Sequence, residues 1–309
     1  MIKRIYLILI VLVIFIQCST NKKDLYSTTS RILLKNEQLI VNNMQNEIIT
    51  YSKDLKEVNR SKINRAGVVN ILQIENNIYG IEELANQKAR FFKFNYACDS
   101  IVWESRTIEL CKAPWSHILK EKSNILYSCI EDYIINDNTG KVSDADFKND
   151  KIIQNKLDKG HFLFKINMHT DSFAYKAFNK KYTITKHEIS TINAGLSFQN
   201  YSAIAKFKNG FVIIQRMAND KQKILVLNSD LQVQDSIATN FTHAKSFLEE
   251  GKLCLLDLFE GVYLYDLDKM TVSKKISTEN CRFYDMAILD SSLYVLSSQG
   301  LNMHSLNKN

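Results

Sequence analysis

Proline occurs once in this 309-residue chain and glycine only nine times. Collagen-like and low-complexity classes are thereby excluded. Cysteine is sparse, with six residues and no Cys-x-x-Cys pair. The six histidines (His117, His161, His169, His187, His243 and His304) never fall as His-x-x-x-His, as His-x-His, or beside a cysteine pair. Metal spacing is therefore absent, and no metal is expected. No Gly-x-Ser-x-Gly, phosphate-binding loop or Gly-x-Gly-x-x-Gly occurs either, so no cofactor is expected. Charge of one sign is also scarce. The formal net charge is +7, and Lys3 and Arg4 supply part of it from the extreme N-terminus. A balance so small, spread along the chain, gives no case for nucleic acid. What is present is apolar: 45% hydrophobic residues against 24% charged, enough for a large core and against global disorder.

The N-terminus reads as an address. Lys3 and Arg4 precede a run of strongly apolar residues from Ile5 to Ile16, followed by Gln17 and Cys18. Such a run, at 1.5 Å per helical residue, spans about 18 Å, well short of a ~30 Å hydrocarbon core. An export signal is the stronger reading than a spanning anchor. The Cys18 at its end resembles a bacterial lipobox, with Gln17 in place of the usual small residue. That resemblance implies a signal peptide over residues 1–17, an acylated Cys18 and a short tether over 18–23. A conventionally cleaved signal and an uncleaved anchor remain the alternatives. Acylation with two or three chains would attach the protein durably to the membrane. Ser19 after the cysteine, by the same resemblance, favours the outer membrane of a bacterial envelope.

Five cysteines remain, Cys98, Cys111, Cys129, Cys254 and Cys281, an odd number that cannot pair completely. Cys129 and Cys254 lie inside apolar runs and read as buried free thiols. Cys98 and Cys111 are close enough in sequence to be bridged in an exported protein, and pairing stays open.

The informative signal is a repeat. Short apolar runs, each after a polar or glycine turn, begin near Glu37, Asn77, Asn124, Gly160, Gly210, Gly251 and Ser292. The mean step is about 42 residues, a period that points to a repeat architecture. Within each repeat a short apolar stretch precedes the turn, and a third run follows about ten residues later. That run commonly ends in an Asx turn, as at Asn228-Ser229-Asp230, Asp266-Leu267-Asp268 and Asp137-Asn138-Thr139-Gly140. A fourth, more polar stretch completes the unit. Short β-branched and aromatic runs without helical periodicity argue all-β. Four antiparallel strands in this length are the size of a propeller blade.

Over residues 24–309 the chain resembles bacterial β-propeller proteins, including the propeller lipoproteins of Bacteroidota. Gly261-Val262-Tyr263-Leu264-Tyr265-Asp266 and Asn136-Asp137-Asn138-Thr139-Gly140-Lys141 look like propeller turns. The resemblance implies about seven four-stranded blades, with six or eight as the range. The chain is expected to close the ring with both ends, Leu25-Tyr26-Ser27 supplying the strand that the seventh repeat lacks.

Asp137 to Gly140 has a faint likeness to a calcium loop but lacks spaced carboxylates and a distal Glu, so a plain turn is expected. Asp144 with Asp146, and Asp266 with Asp268, read as Asp-rich turns. No convincing catalytic set emerges, and catalysis is an open question on which the sequence leans to no. The favoured function is a membrane-tethered, non-catalytic binding or scaffold module for a protein, peptide or glycan. A propeller hydrolase or lyase on glycans or peptides at the channel mouth is the alternative. Ligand contacts are expected on loops joining the fourth strand of one blade to the first of the next, with neighbouring second-to-third loops. Those loops carry Arg65, Trp115, His117, Tyr201, His243, Arg282 and Tyr284, with Arg216 nearby. Arg, Trp and Tyr combine large apolar area with hydrogen-bonding reach. The irregular stretches 106–116 and 190–202 are expected to enter the same face.

Overall fold

The computed structural model describes residues 25–27, 29–74, 76–109, 117–128, 131–146, 164–165, 201–217, 221–240, 245–249 and 251–306. Described residues are all-β, with no helix among them. The first sheet is β1 (Ile32–Lys35), β2 (Gln38–Asn42), β3 (Glu47–Ser52) and β4 (Glu57–Lys62), paired in that order. The second is β5 (Val69–Ile74), β6 (Asn77–Leu84), β7 (Lys88–Phe94) and β8 (Ile101–Glu104), with β9 (Ile108–Glu109) pairing β7 beyond β8. The third is β10 (His117–Glu121), β11 (Asn124–Ser128), β12 (Asp132–Asn136) and β13 (Val142–Ala145), with β14 (Phe164–Lys165) added beside β10. The fourth comprises β15 (Tyr201–Phe207), β16 (Gly210–Arg216), β17 (Gln222–Leu227) and β18 (Val233–Thr239). The fifth comprises β19 (Lys245–Glu249), β20 (Lys252–Asp257), β21 (Gly261–Asp266) and β22 (Thr271–Ile276). The sixth, β23 (Phe283–Leu289), β24 (Ser292–Ser297) and β25 (Gly300–Ser305), has three strands among the described residues.

Every described pairing is antiparallel and most join neighbours in sequence, so each sheet is a meander. First and third turns of each meander lie at one end, here the far rim. Second turns and the links between sheets lie at the other, the near rim. The first turns are tight hairpins. Asn36 and Glu37 have φ of 49° and 59°, and Asp290 and Ser291 have φ of 49° and 57°. Two successive left-handed residues match the twist of the flanking strands. The first turns at 122–123, 208–209 and 290–291 lead directly into β11, β16 and β24, which begin at Asn124, Gly210 and Ser292. Gly210 is thus the first residue of β16, and its reason is space. A Cβ there would overlap the Leu227 carbonyl oxygen on β17.

Side chains pointing to opposite faces of a strand enter different cores. Leu253 and Leu255 of β20 join Val212, Ile214 and Ile224 of the fourth sheet, whereas Cys254 and Leu256 join Met286, Leu293 and Val295 of the sixth. Middle strands are therefore buried on both faces and read as continuous apolar runs. Outermost strands such as β4 and β22 are largely exposed. Five apolar seams join the six sheets in an unbroken series: fourth to fifth, fifth to sixth, sixth to first, first to second, and second to third. The sixth-to-first seam holds Ile32, Leu39 and Val41 against Ala287, Tyr294 and Leu296.

Two expectations need correction. Leu25 to Ser27 form no strand on β25. The Leu25 carbonyl accepts from the Met44 amide of the first sheet at 3.0 Å, and Tyr26 packs into the sixth-to-first seam. Burial and a hydrogen bond with Tyr51 push the Tyr26 phenol up. Residues 106–109 do not enter a loop face as an irregular stretch, because β9 continues the edge of the second sheet and buries Ile108. The fourth repeat expected around Gly160 lies mostly outside the described residues, and its Phe164–Lys165 pairs with β10. Residues 1–24, with Cys18, also lie outside them.

Candidate functional site

Near-rim links and second turns should carry the ligand contacts, and the structure treats the eight named residues differently. Trp115 and His243 lie outside the described residues. His117 and Tyr201 are the first residues of β10 and β15, and Arg216 is the last of β16. Arg65, Arg282 and Tyr284 can be followed to their side chains.

Arg65 belongs to an ion-pair cluster over the second sheet. Its guanidinium bonds Glu104, approaches Glu82 Oε2 at 3.7 Å and lies 5.2 Å from the Phe92 ring centroid. Arg90 Nη1 stands 4.0 Å from Glu82 and 3.9 Å from Glu104. Glu82 is buried, and its Oε1 accepts from the Gly67 amide at 3.1 Å. The hydrogen bond from Arg65 holds the Glu104 carboxyl below the usual carboxylate range, with the Arg65 and Arg90 charges adding to it. Arg65 thus pins the link over residues 63–68 onto the second sheet. Tyr284 is a core residue at 8% exposure, packed in the sixth-to-first seam with Tyr26. Its ring faces the core and not the loop surface.

Arg282 is exposed, and its guanidinium carbon lies 5.9 Å from the ring centroid of Phe259. Phe259, on the neighbouring near-rim turn, is 69% exposed. Asp257 holds that turn by accepting from the Phe259 and Glu260 amides, both at 2.7 Å. The Phe283 amide donates to the Leu258 carbonyl at 2.9 Å and ties the turn to the sixth sheet. Sequence reading missed Phe259, which sits in an apolar-looking run from Leu253 and gave no sign of exposure.

Two buried carboxylates, Asp285 and Asp137, are spent on seams. Asp285, fully buried on β23, pairs with Lys245 of β19 and accepts from the Ile32 amide of β1 at 2.7 Å and from Met286 at 2.8 Å. One carboxylate thereby links three sheets. Asp137 links two: Tyr79 Oη donates to it at 2.7 Å, Lys93 Nζ at 3.0 Å, and Trp103 Nε1 donates to its carbonyl at 2.6 Å. The turn that faintly resembles a calcium loop is an Asx turn, with Asn136 Oδ1 accepting from the Asn138 and Thr139 amides. Asp144 pairs with Arg106. Cys98 is an unpaired buried thiol, pushed up by burial and so protonated at neutral pH.

The far rim holds a feature with no sequence signal. A groove of about 390 Å³ opens between the first and second sheets, lined by residues that include Lys35, Gln38, Thr50, Asn59, Tyr96 and Asp99. Ile40 and Cys98, both buried, form part of it. Tyr96 is 73% exposed but pinned. Lys35 Nζ stands 4.1 Å from its ring centroid and donates to its carbonyl at 3.1 Å, and Asn36 donates to its hydroxyl.

No family model and no curated protein matches the sequence. Among solved structures the chain is similar to Hsv2 of Kluyveromyces lactis, at 10% identity and a TM-score of 0.47, covering 90% of this chain and 93% of that one. It is also similar to BamB of Moraxella catarrhalis, at 8% identity and 0.45, covering 89% and 80%. The computationally designed Ika8 protein gives 6% identity and 0.44, covering 89% and 83%.

Proposed function

We propose that the chain is a lipid-tethered β-propeller that binds a protein partner in the bacterial envelope without catalysing a reaction on it. The seams described join the six sheets except for the step from third to fourth, and residues 147–200, of which Phe164–Lys165 pairs with β10, are long enough for one more blade of the repeat. Seven blades would close the ring. The observation that carries the binding reading is the exposed Phe259–Arg282 pair. A rigid ring under an exposed aromatic and arginine provides the residue types that dominate binding hot spots. The charges locked in the seams at Asp285 and Asp137 suit a scaffold.

Cys18 would be acylated, with the outer membrane as its site. The seven residues from Cys18 to Asp24 reach at most about 25 Å. Leu25 is hydrogen-bonded to Met44 in a near-rim turn, so the Phe259–Arg282 rim would lie close to the bilayer. Fatty-acid labelling should mark the wild type and not Cys18→Ser, and equal labelling of both would remove the tether from this account. For the binding role, tagged protein would be purified from its own envelope. Phe259→Ala with Arg282→Ala should reduce partner recovery at least about tenfold, about 1.4 kcal/mol, at an unchanged melting temperature. Full recovery would contradict the assignment of this rim.

A further inference from the structure

We infer that the far-rim groove between the first and second sheets binds a neutral sugar, as one or two pyranose units of a glycan. This is independent of the near-rim protein site. The volume of about 390 Å³ falls at the lower end of the ~300–1,000 Å³ usual for small-ligand sites. Charge in the lining is balanced, with Lys35 against Asp99. The Lys35 ammonium is already engaged with the Tyr96 ring and carbonyl, and Asp99 accepts from Asn95 Nδ2 at 2.6 Å. Neither charge is therefore the natural anchor for an ionic ligand.

What the groove leaves uncommitted is neutral and polar. The side chains of Gln38 and Thr50 make no hydrogen bond among the described residues, although Thr50 is 6% exposed. An amide and a hydroxyl supply donor and acceptor together, and so match ligand hydroxyls, which also do both. Asn59 adds a second amide on β4, its Nδ2 engaged only in long bonds, to the Ala97 carbonyl at 3.4 Å and to Ser61 Oγ at 3.5 Å. Tyr96 supplies the complementary apolar surface. A sugar ring presents C–H groups on one face and hydroxyls around its edge, so it pairs with an exposed aromatic ring bordered by amides. Exposed aromatic rings on turns are usually mobile, and ordering one on binding costs conformational entropy. Here Lys35 and Asn36 hold Tyr96 in place beforehand, so that cost is already met.

The test uses the full-length protein in detergent micelles, with backbone amide shifts read by NMR. Probes are methyl glucoside, methyl galactoside, N-acetylglucosamine and their β-linked disaccharides, with inorganic phosphate and a short alanine peptide as rivals. At least one sugar should shift the amides of Gln38, Thr50, Asn59 and Tyr96 together. Tyr96→Ala should weaken that binding at least about tenfold, about 1.4 kcal/mol. Tyr96→Phe, which retains the ring and the Lys35 contact but loses the Asn36 bond, should weaken it less than Tyr96→Ala does, and Gln38→Ala should weaken it without touching Tyr96. The inference fails if no sugar shifts these amides, if phosphate or peptide shifts them and sugars do not, or if Tyr96→Ala binds normally. Such a failure leaves partner recovery through Phe259 and Arg282 unaffected, so the two sites are judged separately.

Discussion

Asp285 shows what a single buried carboxylate does in this fold. It is fully buried, paired with Lys245, and accepts two backbone amides, one of them from β1. Removing it takes from buried Lys245 its ion-pair partner and from the Ile32 amide its acceptor at 2.7 Å. Loss of one partner of such a pair costs about 3–5 kcal/mol. Asp285→Ala should therefore lower the unfolding free energy by that amount in chemical denaturation. Lys275→Ala, which breaks an exposed pair with Glu260 at 3.3 Å, should cost under about 1 kcal/mol. Equal effects would show that Asp285 is no latch. His304 on β25 gives a pH signature. Burial, and then the Lys274 charge, lower its basicity in the folded state. The unfolded chain then binds more protons as pH falls, so stability drops when pH is lowered below the ordinary histidine value of about 6.5. Above that value the contribution is constant. His304→Gln should flatten the pH dependence of the melting temperature across this window.

Third turns show how the repeat is built at the scale of the element. Their opening residues Ser52, Asn95, Asn136, Asn228 and Asp266 each accept backbone amides on a side-chain oxygen. Three or four residues later comes a left-handed residue: Leu55, Cys98, Gly140, Leu231 or Met270. A register slip between the third and fourth strands sits just before the turn in four sheets, between Thr50 and Tyr51, Lys93 and Phe94, Val226 and Leu227, and Leu264 and Tyr265. The Asx residues were legible because their chemistry is local. The left-handed Leu55, Cys98 and Met270 were not, because their side chains are held by packing from neighbouring seams. The same distinction explains the ends of the chain. Tyr26 read as strand from its aromatic character, whereas a seam contact with residues far along the chain decides its place. Tyr26→Ala should cost about 3 kcal/mol or more as an aromatic core truncation. An unchanged melting curve would show that residues 25–27 play no part in the seam.

At the scale of the whole molecule, periodicity and doubly buried strands made the all-β repeat readable, because each blade repeats the same local rules. The sites were less readable. Arg65, Arg282 and Tyr284 occupy comparable links in sequence, but an ion-pair cluster engages the first, a seam buries the third, and only Arg282 is exposed. The Tyr96 groove joins Lys35 to a turn 61 residues away, a meeting that only folding sets. The first and sixth sheets adjoin through one apolar seam, and in the proposed seven-bladed propeller they would be neighbouring blades of a closed ring. In a closed ring no sheet is terminal, and β2 and β24 should open only with the whole molecule. Native-state hydrogen exchange measures this directly. The account predicts that the Ile40 and Val295 amides share one opening free energy, equal to that of global unfolding, and that Asp285→Ala lowers both equally. Independent opening of the first and sixth sheets, with Asp285→Ala loosening only one of them, would contradict it.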